Sequence, residues 1–514
     1  MTRADNRPNI LLFMVDQLTA GALKAYGGTV CDTPNIDALA ARGTVFDTAY
    51  CPYPLCAPSR ASMMSGRLPS RIGAWDNGAE FCASTPTIAH YLRGLGYYTA
   101  ISGKMHFVGP DQLHGFEERL TPEIYPGDFS WTPSPADPGD QNRFGAGVSS
   151  VENVLDAGPM ARTMQIDYDE DVTHHAVREI FIRARCDDPR PFFLTVSLTQ
   201  PHDPYVTTQD HWDRYDGADI DDPRVPFVPL SERDPHSRML HSHYGQDRVT
   251  IDDAATRRAR RAYYGMMSHV DDLFGRVLAA LSDSDLAENT IVLFTSDHGD
   301  MLGERGMWYK KTLFEPAIRV PLIFAGPGIE AGRADTPVSL VDLLPTLVDL
   351  AGAPTGTLRT PHDGRSLAPA LVGQPLSPRP VMAEHLDGGT DAPRVMVRDR
   401  ALKLVLSRAY PPMLYDLAAD PHERTDLAAS PAHADDLARL TALAEKVWDL
   451  DALARDKAEN QTARQVVRDA LAEGRIEVWD DDAHRTPSPL HTVRKGDTFP
   501  EVERRAYLPY RFEA

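Results

Sequence analysis

A cysteine at a helix start, with a proline two residues on and an arginine four residues on, brings a nucleophile to an anion site. The sequence carries this pattern in Cys51-Pro-Tyr-Pro-Leu-Cys56-Ala-Pro58-Ser59-Arg60. A proline in a first helical turn loses no hydrogen bond, so Pro58 marks the start of a helix. Cys56 then sits at the helix N-terminus, where free N–H groups and the dipole favour an anion. Arg60, four residues on, shares its face. Cys51 lacks these neighbours and reads as a small packed residue. Asp16 and Asp297-His298 offer a second chemistry. Carboxylates with one imidazole suit Ca²⁺, Mg²⁺ or Mn²⁺ better than structural zinc. Gln17 is a weaker ligand candidate, because a neutral amide is often only a turn residue. Lys104, His106, His202 and Lys310 are candidate oxyanion clamps and proton donors.

Asp16-Gln17, Lys104 with His106, His202 and Asp297-His298 share a position: each cluster follows an apolar run. Residues 9–15 end at Asp16-Gln17, and 98–102 end at Gly103-Lys104-Met105-His106. Residues 192–199 end at Gln200-Pro201-His202-Asp203, and 290–296 end at Asp297-His298-Gly299-Asp300. Near-continuous apolar runs are expected of parallel strands covered on both faces. In open α/β sheets the ligand site lies beyond the carboxyl ends of the strands. Four strands emptying onto Asp, Lys, His and Asp-His therefore define one site. Residues 320–325 predict a further strand. Helical patterns at 34–42, 57–64, 87–95, 257–282 and 339–351 complete a doubly wound α/β domain. The Pro-, Gly- and Asp-rich stretches 107–162 and 217–245 read as excursions over the active-site edge. After Asp363 the texture changes. Strands at 401–407 and 413–417 and a helix at 432–453 predict a small α+β domain. The expected division is a catalytic domain over 1–365, a smaller one over 366–460, and an extended, intersubunit tail over 461–514.

The 514 residues carry a formal net charge of -21, which argues against nucleic acid as a partner. No stretch approaches the roughly 20 apolar residues of a membrane helix. The polar start Met-Thr-Arg-Ala-Asp-Asn-Arg-Pro has no signal-peptide core, and five sparse cysteines fit a reducing compartment. A cytoplasmic protein with no membrane partner is expected.

Cys56-Ala-Pro58-Ser-Arg60, followed by Gly66-Arg67-Leu-Pro69, resembles the type I sulfatase signature within the alkaline phosphatase superfamily. Residues 9–17 and 296–306 are similar to that family's two metal segments, and 413–427 to its C-terminal sheet. Residues 102–120, Pro201-His-Asp-Pro-Tyr205 and Asp234-Pro-His-Ser237 resemble choline-sulfatases. Where those enzymes carry a His-Asn pair, this chain reads Val148-Ser149-Ser150-Val151.

The resemblance implies that a formylglycine-generating enzyme converts Cys56 to formylglycine. It implies one divalent metal, Ca or Mn with Mg as an alternative, on Asp16, Asp297, His298 and residue 56, with Gln17 as a fifth candidate. One hydroxyl of the hydrated aldehyde would attack and the other would later expel sulfate, splitting the reaction into two easier steps. Arg60, Lys104 and Lys310 would stabilise the transferring group. His202, assisted by Lys310, would protonate the leaving alcohol, and His106 would deprotonate the second hydroxyl. The implied substrate is a small sulfate monoester, with choline-O-sulfate the leading candidate. Asn77, Trp131, Glu384, Asp387 and the tail residue Asp497 are its implied binding residues. Asp497 would reach a neighbouring subunit of a dimer or tetramer. An arylsulfatase and a phosphonate monoester or phosphodiester hydrolase with the same machinery remain open. So does a sulfate-ester binding protein, if Cys56 stays a thiol.

Overall fold

The computed structural model describes residues 7–134, 149–475, 479, 493 and 498–506. Eight strands form the central sheet: Asn9–Val15 (β1), Thr44–Phe46 (β2), Tyr98–Gly103 (β3), Glu118–Arg119 (β4), Phe192–Ser197 (β5), Thr290–Ser296 (β6), Leu322–Ala325 (β7) and Gly332–Ala334 (β8). Their order is β8-β2-β7-β6-β1-β5-β3-β4. The four apolar runs predicted as parallel strands are parallel neighbours in the middle of this sheet. Every residue of β1, β3, β5 and β6 is buried, which is why none alternates in sequence. The further strand expected at 320–325 is β7, and it runs antiparallel to β6.

The predicted helices appear as Pro34–Arg42 (α1), Cys56–Ser65 (α2), Ile88–Gly94 (α3), Asp253–Asp283 and Leu343–Leu350. A further helix, Met164–Arg183 (α4), is absent from the sequence reading. Its acidic and histidine residues mask an apolar face of Met164, Ile166, Val172 and Ile180. Its buried Asp169 accepts from the Thr199 and Gln200 N–H groups, at 2.7 and 2.9 Å, and so fixes the turn that carries His202. With Asp253–Asp283 as α5 and Leu343–Leu350 as α6, α1 and α4 pack on α5, while α2 and α3 pack on α6. Phe13 of β1 meets Phe274 of α5 at 4.7 Å.

The C-terminal unit is an antiparallel meander of Val381–His385 (β9), Arg394–Asp399 (β10), Leu402–Ser407 (β11) and Met413–Asp416 (β12). Helix Ala434–Val447 (α7) covers β10 and β11. Tyr53, Leu55, Leu68 and Trp75 belong to the apolar core of this unit, not to that of the large sheet. The loop before Cys56 is therefore seated on the smaller domain. The helix expected over 432–453 breaks at Trp448, and Asp449 caps a second one, Leu450–Leu471 (α8), through the Asp451 and Ala452 N–H groups at 3.0 Å. A tail beginning at 461 would cut α8 in two. The last helix described is Phe499–Ala506 (α9). No helix among the described residues is long and apolar enough to cross a membrane.

Candidate active site

Helix α2 begins at Cys56 itself, after Leu55 in extended backbone, and Pro58 lies in its first turn. It ends at Gly66, whose φ of 66° allows its N–H to close on Ser62. The site is the meeting of this N-terminus with the ends of β1 and β6. Asp16, Cys56, Asp297 and His298 are all buried, and one ligand atom from each lies within 4.8 Å of the others. Cys56 Sγ is 3.3 Å from His298 Nε2 and 3.8 Å from Asp16 Oδ1. His298 Nδ1 is 3.0 Å from the Gly299 carbonyl, which leaves Nε2 toward the cluster. Gly299 is required by space: a Cβ there would stand 2.0 Å from the Pro316 carbonyl oxygen.

Two carboxylates and an imidazole facing a fourth donor fit a divalent cation in chemistry and spacing. Gln17 stands somewhat apart. Its φ is 69°, its Nε2 donates to Asp300 at 2.6 Å and Asp203 at 3.2 Å, and its Oε1 accepts from Lys310. Both ends of the amide are thus engaged beside the four-residue cluster.

The cations around the cluster hold its carboxylates. Arg60 donates from Nε to Asp297 at 2.8 Å, from Nη2 to Asp16 at 3.2 Å, and from Nη1 to Ser197 Oγ and the Lys104 carbonyl. Arg60 is fully buried and absent from the cavity lining, so it orients the two carboxylates instead of clamping an ester directly. Lys104 pairs with Asp16 and lies 4.3 Å from the Tyr125 ring centre. Burial alone would raise the Asp16 carboxyl, but Lys104 and its fellow cations outweigh it and hold it well below the usual range. Burial and Asp16 push the Cys56 thiol up to about 11, so an unmodified thiol is protonated at neutral pH.

His202 Nδ1 lies 2.6 Å from the Asp203 carbonyl and Nε2 lies 2.5 Å from Lys310 Nζ. Burial and Lys310 depress its basicity strongly, so the imidazole is neutral. A neutral ring that donates from Nδ1 accepts at Nε2, so Lys310 Nζ donates to His202. Lys310 Nζ is 3.7 Å from Cys56 Sγ. His106 is also held neutral by burial and Lys104, and neither ring nitrogen has a partner among the described residues. Its ring lies 4.9 Å from Tyr125 and 5.3 Å from Trp131.

A cavity opens above Cys56, and its wall includes Asn77, Tyr125, Trp131, His202, Lys310 and Asp387. Asn77 Oδ1 accepts from the Ala57 N–H at 3.0 Å and so also caps α2. Glu384 does not reach this cavity. Its carboxylate is fully buried against Ser70, at 2.6 and 2.8 Å, and Trp448 Nε1, and it locks β9 to the segment after α2. Asp497 lies outside the described residues. Ser149, within the segment that departs from the choline-sulfatase pattern, lines the cavity and donates to Asp203 at 3.0 Å.

Several participants escaped the sequence reading. Asp203 and Asp300 stand within its polar strand ends without a role, yet together they hold Gln17. Lys311 follows Lys310 and also lines the cavity; burial and Lys310 lower its ammonium to about 8. Tyr125, Asp76 and Glu503 carry no local signal. Glu503 on α9 is buried, its Oε1 has no partner among the described residues, and burial followed by Asp203 raises its carboxyl well above the usual range.

The sequence profile described as Sulfatase matches residues 8–353. The chain is 44% identical over 480 residues to the choline-sulfatase of Rhizobium meliloti (strain 1021), covering 92% of this chain and 93% of that protein. It is 30% identical over 446 residues to an arylsulfatase of Clostridium perfringens (strain 13 / Type A), covering 82% and 90%. Among solved structures, the phosphonate monoester hydrolase SpPMH from Silicibacter pomeroyi matches with a TM-score of 0.68 at 26% identity, over 86% of this chain and 95% of that one. The resemblance read from Cys56 to Arg60 is thereby borne out. Sulfatases generally work with a divalent metal and a formylglycine, and the buried Asp16–Cys56–Asp297–His298 cluster can hold such a metal. The matched profile spans every strand of the central sheet and both metal-site segments, so the chain belongs to the sulfatase family and is a sulfuric ester hydrolase of alkaline-phosphatase-like fold.

Proposed function

We propose that this sulfatase hydrolyses a small sulfate monoester of a cationic alcohol, with choline-O-sulfate the leading candidate. The observation that carries this reading is the aromatic wall of the cavity over Cys56. Trp131 and Tyr125 both line it, with ring centres 4.9 Å apart. An aromatic face attracts a quaternary ammonium by about 0.5–2 kcal/mol, according to how far the pair is desolvated. Asp387 on the same wall adds a carboxylate. The likeness to the Rhizobium meliloti choline-sulfatase supports the same alcohol.

Asp16, Asp297, His298 and the residue at 56 would hold one divalent cation, Ca²⁺ or Mn²⁺ with Mg²⁺ as the alternative, which would polarise the ester oxygens and acidify the hydroxyl at position 56. That hydroxyl would belong to a formylglycine made from Cys56 by a formylglycine-generating enzyme. Arg60 aims the two carboxylates, and Lys104 with Arg60 keeps Asp16 ionised. The His202–Lys310 pair carries the proton that the leaving alcohol oxygen needs, and His106 is the neutral base for the later deprotonation. Asp497 would complete the cationic pocket from a neighbouring subunit.

The test is kcat/KM for choline sulfate against 3,3-dimethylbutyl sulfate, the ester of similar shape without the ammonium charge, in wild type and Trp131→Ala. Wild type should prefer choline sulfate by about tenfold, the equivalent of about 1.4 kcal/mol. Trp131→Ala should erase most of that preference. Equal rates in wild type would remove choline and leave the sulfatase intact. The match to SpPMH keeps phosphonate monoesters as a second reading, and a faster rate on these than on every sulfate monoester would favour it.

A further inference from the structure

Helix α8 carries Lys457, Gln461, Arg464 and Gln465, spaced so that they share one face. Each reaches the wall of the substrate cavity. Lys457 Nζ pairs with Asp387 at 3.1 Å. Gln461 Nε2 donates to Asp76 at 3.1 Å and also to Asp387. Arg464 grips both oxygens of Asp76, at 2.9 and 2.6 Å, and donates to Thr132 Oγ1 at 3.0 Å. Gln465 Nε2 donates to the Pro133 carbonyl at 3.2 Å. Asp76, Trp131, Pro133 and Asp387 all line the cavity.

The wall segments held this way also touch one another. Asp76 Oδ1 accepts from Gly78 N–H at 2.9 Å, closing the turn that presents Asn77. A Cβ on Gly78 would lie 2.5 Å from the Trp131 carbonyl carbon, so the Trp131 backbone rests directly on that turn. A helix that only packs would bury apolar side chains. Beyond Leu453, the buried side chains of α8 are Gln461 and Arg464. A buried ion pair is weak evidence of stabilisation, because desolvation offsets the attraction, but it fixes geometry.

We propose that α8 sets the substrate-side wall, with Gln461 and Arg464 as positioning residues that fix Trp131 and Asp387 relative to Cys56 and thereby decide which alcohol fits. The proposal rests on this cavity being the substrate site; it does not require the alcohol to be choline.

The experiment uses full-length, metal-loaded enzyme carrying formylglycine, with choline sulfate and 4-nitrophenyl sulfate as substrates. Arg464→Ala should raise KM for choline sulfate at least about tenfold, since small misplacements of a binding wall are costly. Its kcat should stay within about threefold, because this wall meets the alcohol and not the sulfuryl group. Arg464→Lys, which keeps the charge and loses the fork, should recover only part of the loss. Hydrogen exchange in residues 125–133 should quicken in the Ala variant. An unmoved KM would overturn the proposal. So would an equal fall in kcat for both esters together with loss of bound metal, which marks a purely structural helix. If Arg464→Ala does not fold, Gln465→Ala serves: a KM rise of about twofold supports the strut and no rise refutes it. If wild type shows no preference for choline sulfate, the choice of alcohol fails, and the strut is judged on KM for whichever ester wild type takes.

Discussion

The two ends of the active-site cavity are built on different plans. At the deep end, Asp16, Cys56, Asp297 and His298 sit on two neighbouring strand ends and one helix start, wholly buried and cross-linked by Arg60 and Lys104. At the outer end, Trp131 is half-buried, and Asp76 and Asp387 are held by Gln461 of a helix 385 and 74 residues further along the chain. The deep end inherits its rigidity from the sheet. The outer wall borrows its rigidity from the C-terminal unit. Bond cleavage is thus separated from selection of the alcohol, and substitutions at the two ends should fail in different ways.

The sharpest break lies at the deep end. Cys56→Ala should lower kcat at least about 10⁴-fold, because removal of a nucleophile disables the whole catalytic unit. Melting should change little, since Ala fills nearly the same space. Wild-type-like turnover by that variant, measured with the mass of the peptide containing residue 56, would rule out a nucleophile at this position. Next in size is Asp297→Asn. It weakens the metal cluster and leaves Arg60 facing Asp16 with one buried anion fewer. Breaking such a buried pair costs about 3–5 kcal/mol. Metal content, activity and urea midpoint should therefore fall together. Full activity of exhaustively chelated enzyme, confirmed free of metal by elemental analysis, would contradict the cluster.

The same contrast explains what could be read from sequence. Deep-end residues follow apolar runs that announce themselves, so Asp16, Lys104, His202 and Asp297-His298 were legible, and Pro58 located the start of α2 within two residues. Parallel strands buried on both faces leave long apolar words, and their polar ends must converge. The outer wall leaves no such trace. Arg464 and Asp76 are 388 positions apart and look like ordinary surface charges until the fold pairs them. Glu384 failed for a related reason: a carboxylate in a strand reads as available, yet Ser70 and Trp448 occupy it. Helix α4 was missed because buried Asp169 and Gln165 interrupt its apolar period.

The smallest expected effect is the most discriminating. Lys311 lies on the cavity wall beside Gly388, 2.8 Å from His243, with Asp387 and Lys310 as its charged neighbours. Burial and the Lys310 charge lower its ammonium from the ordinary lysine value of about 10.4 to about 8. His243, held neutral by burial and by Lys311 itself, does not share this titration near pH 8. Between about pH 8 and 10.4 the unfolded chain binds more protons at this site than the folded one, so its contribution to stability improves as pH rises through that window. Below about pH 8 both states are protonated and the burial penalty is constant. Catalysis should show the same titration with a sign set by the substrate. Raising pH through 8 removes one positive charge from the wall. KM for choline sulfate should fall by about threefold, because its ammonium group loses a like-charged neighbour in a medium of intermediate dielectric. KM for 3,3-dimethylbutyl sulfate should rise, because its only charge is the sulfate anion. Lys311→Met should flatten both curves between pH 7 and 9. Parallel curves for the two esters in wild type, or unchanged slopes in the Met variant, would remove Lys311 from the wall that selects the alcohol. Opposed slopes would show that the outer wall sorts esters by charge even while the deep end treats their sulfate groups alike.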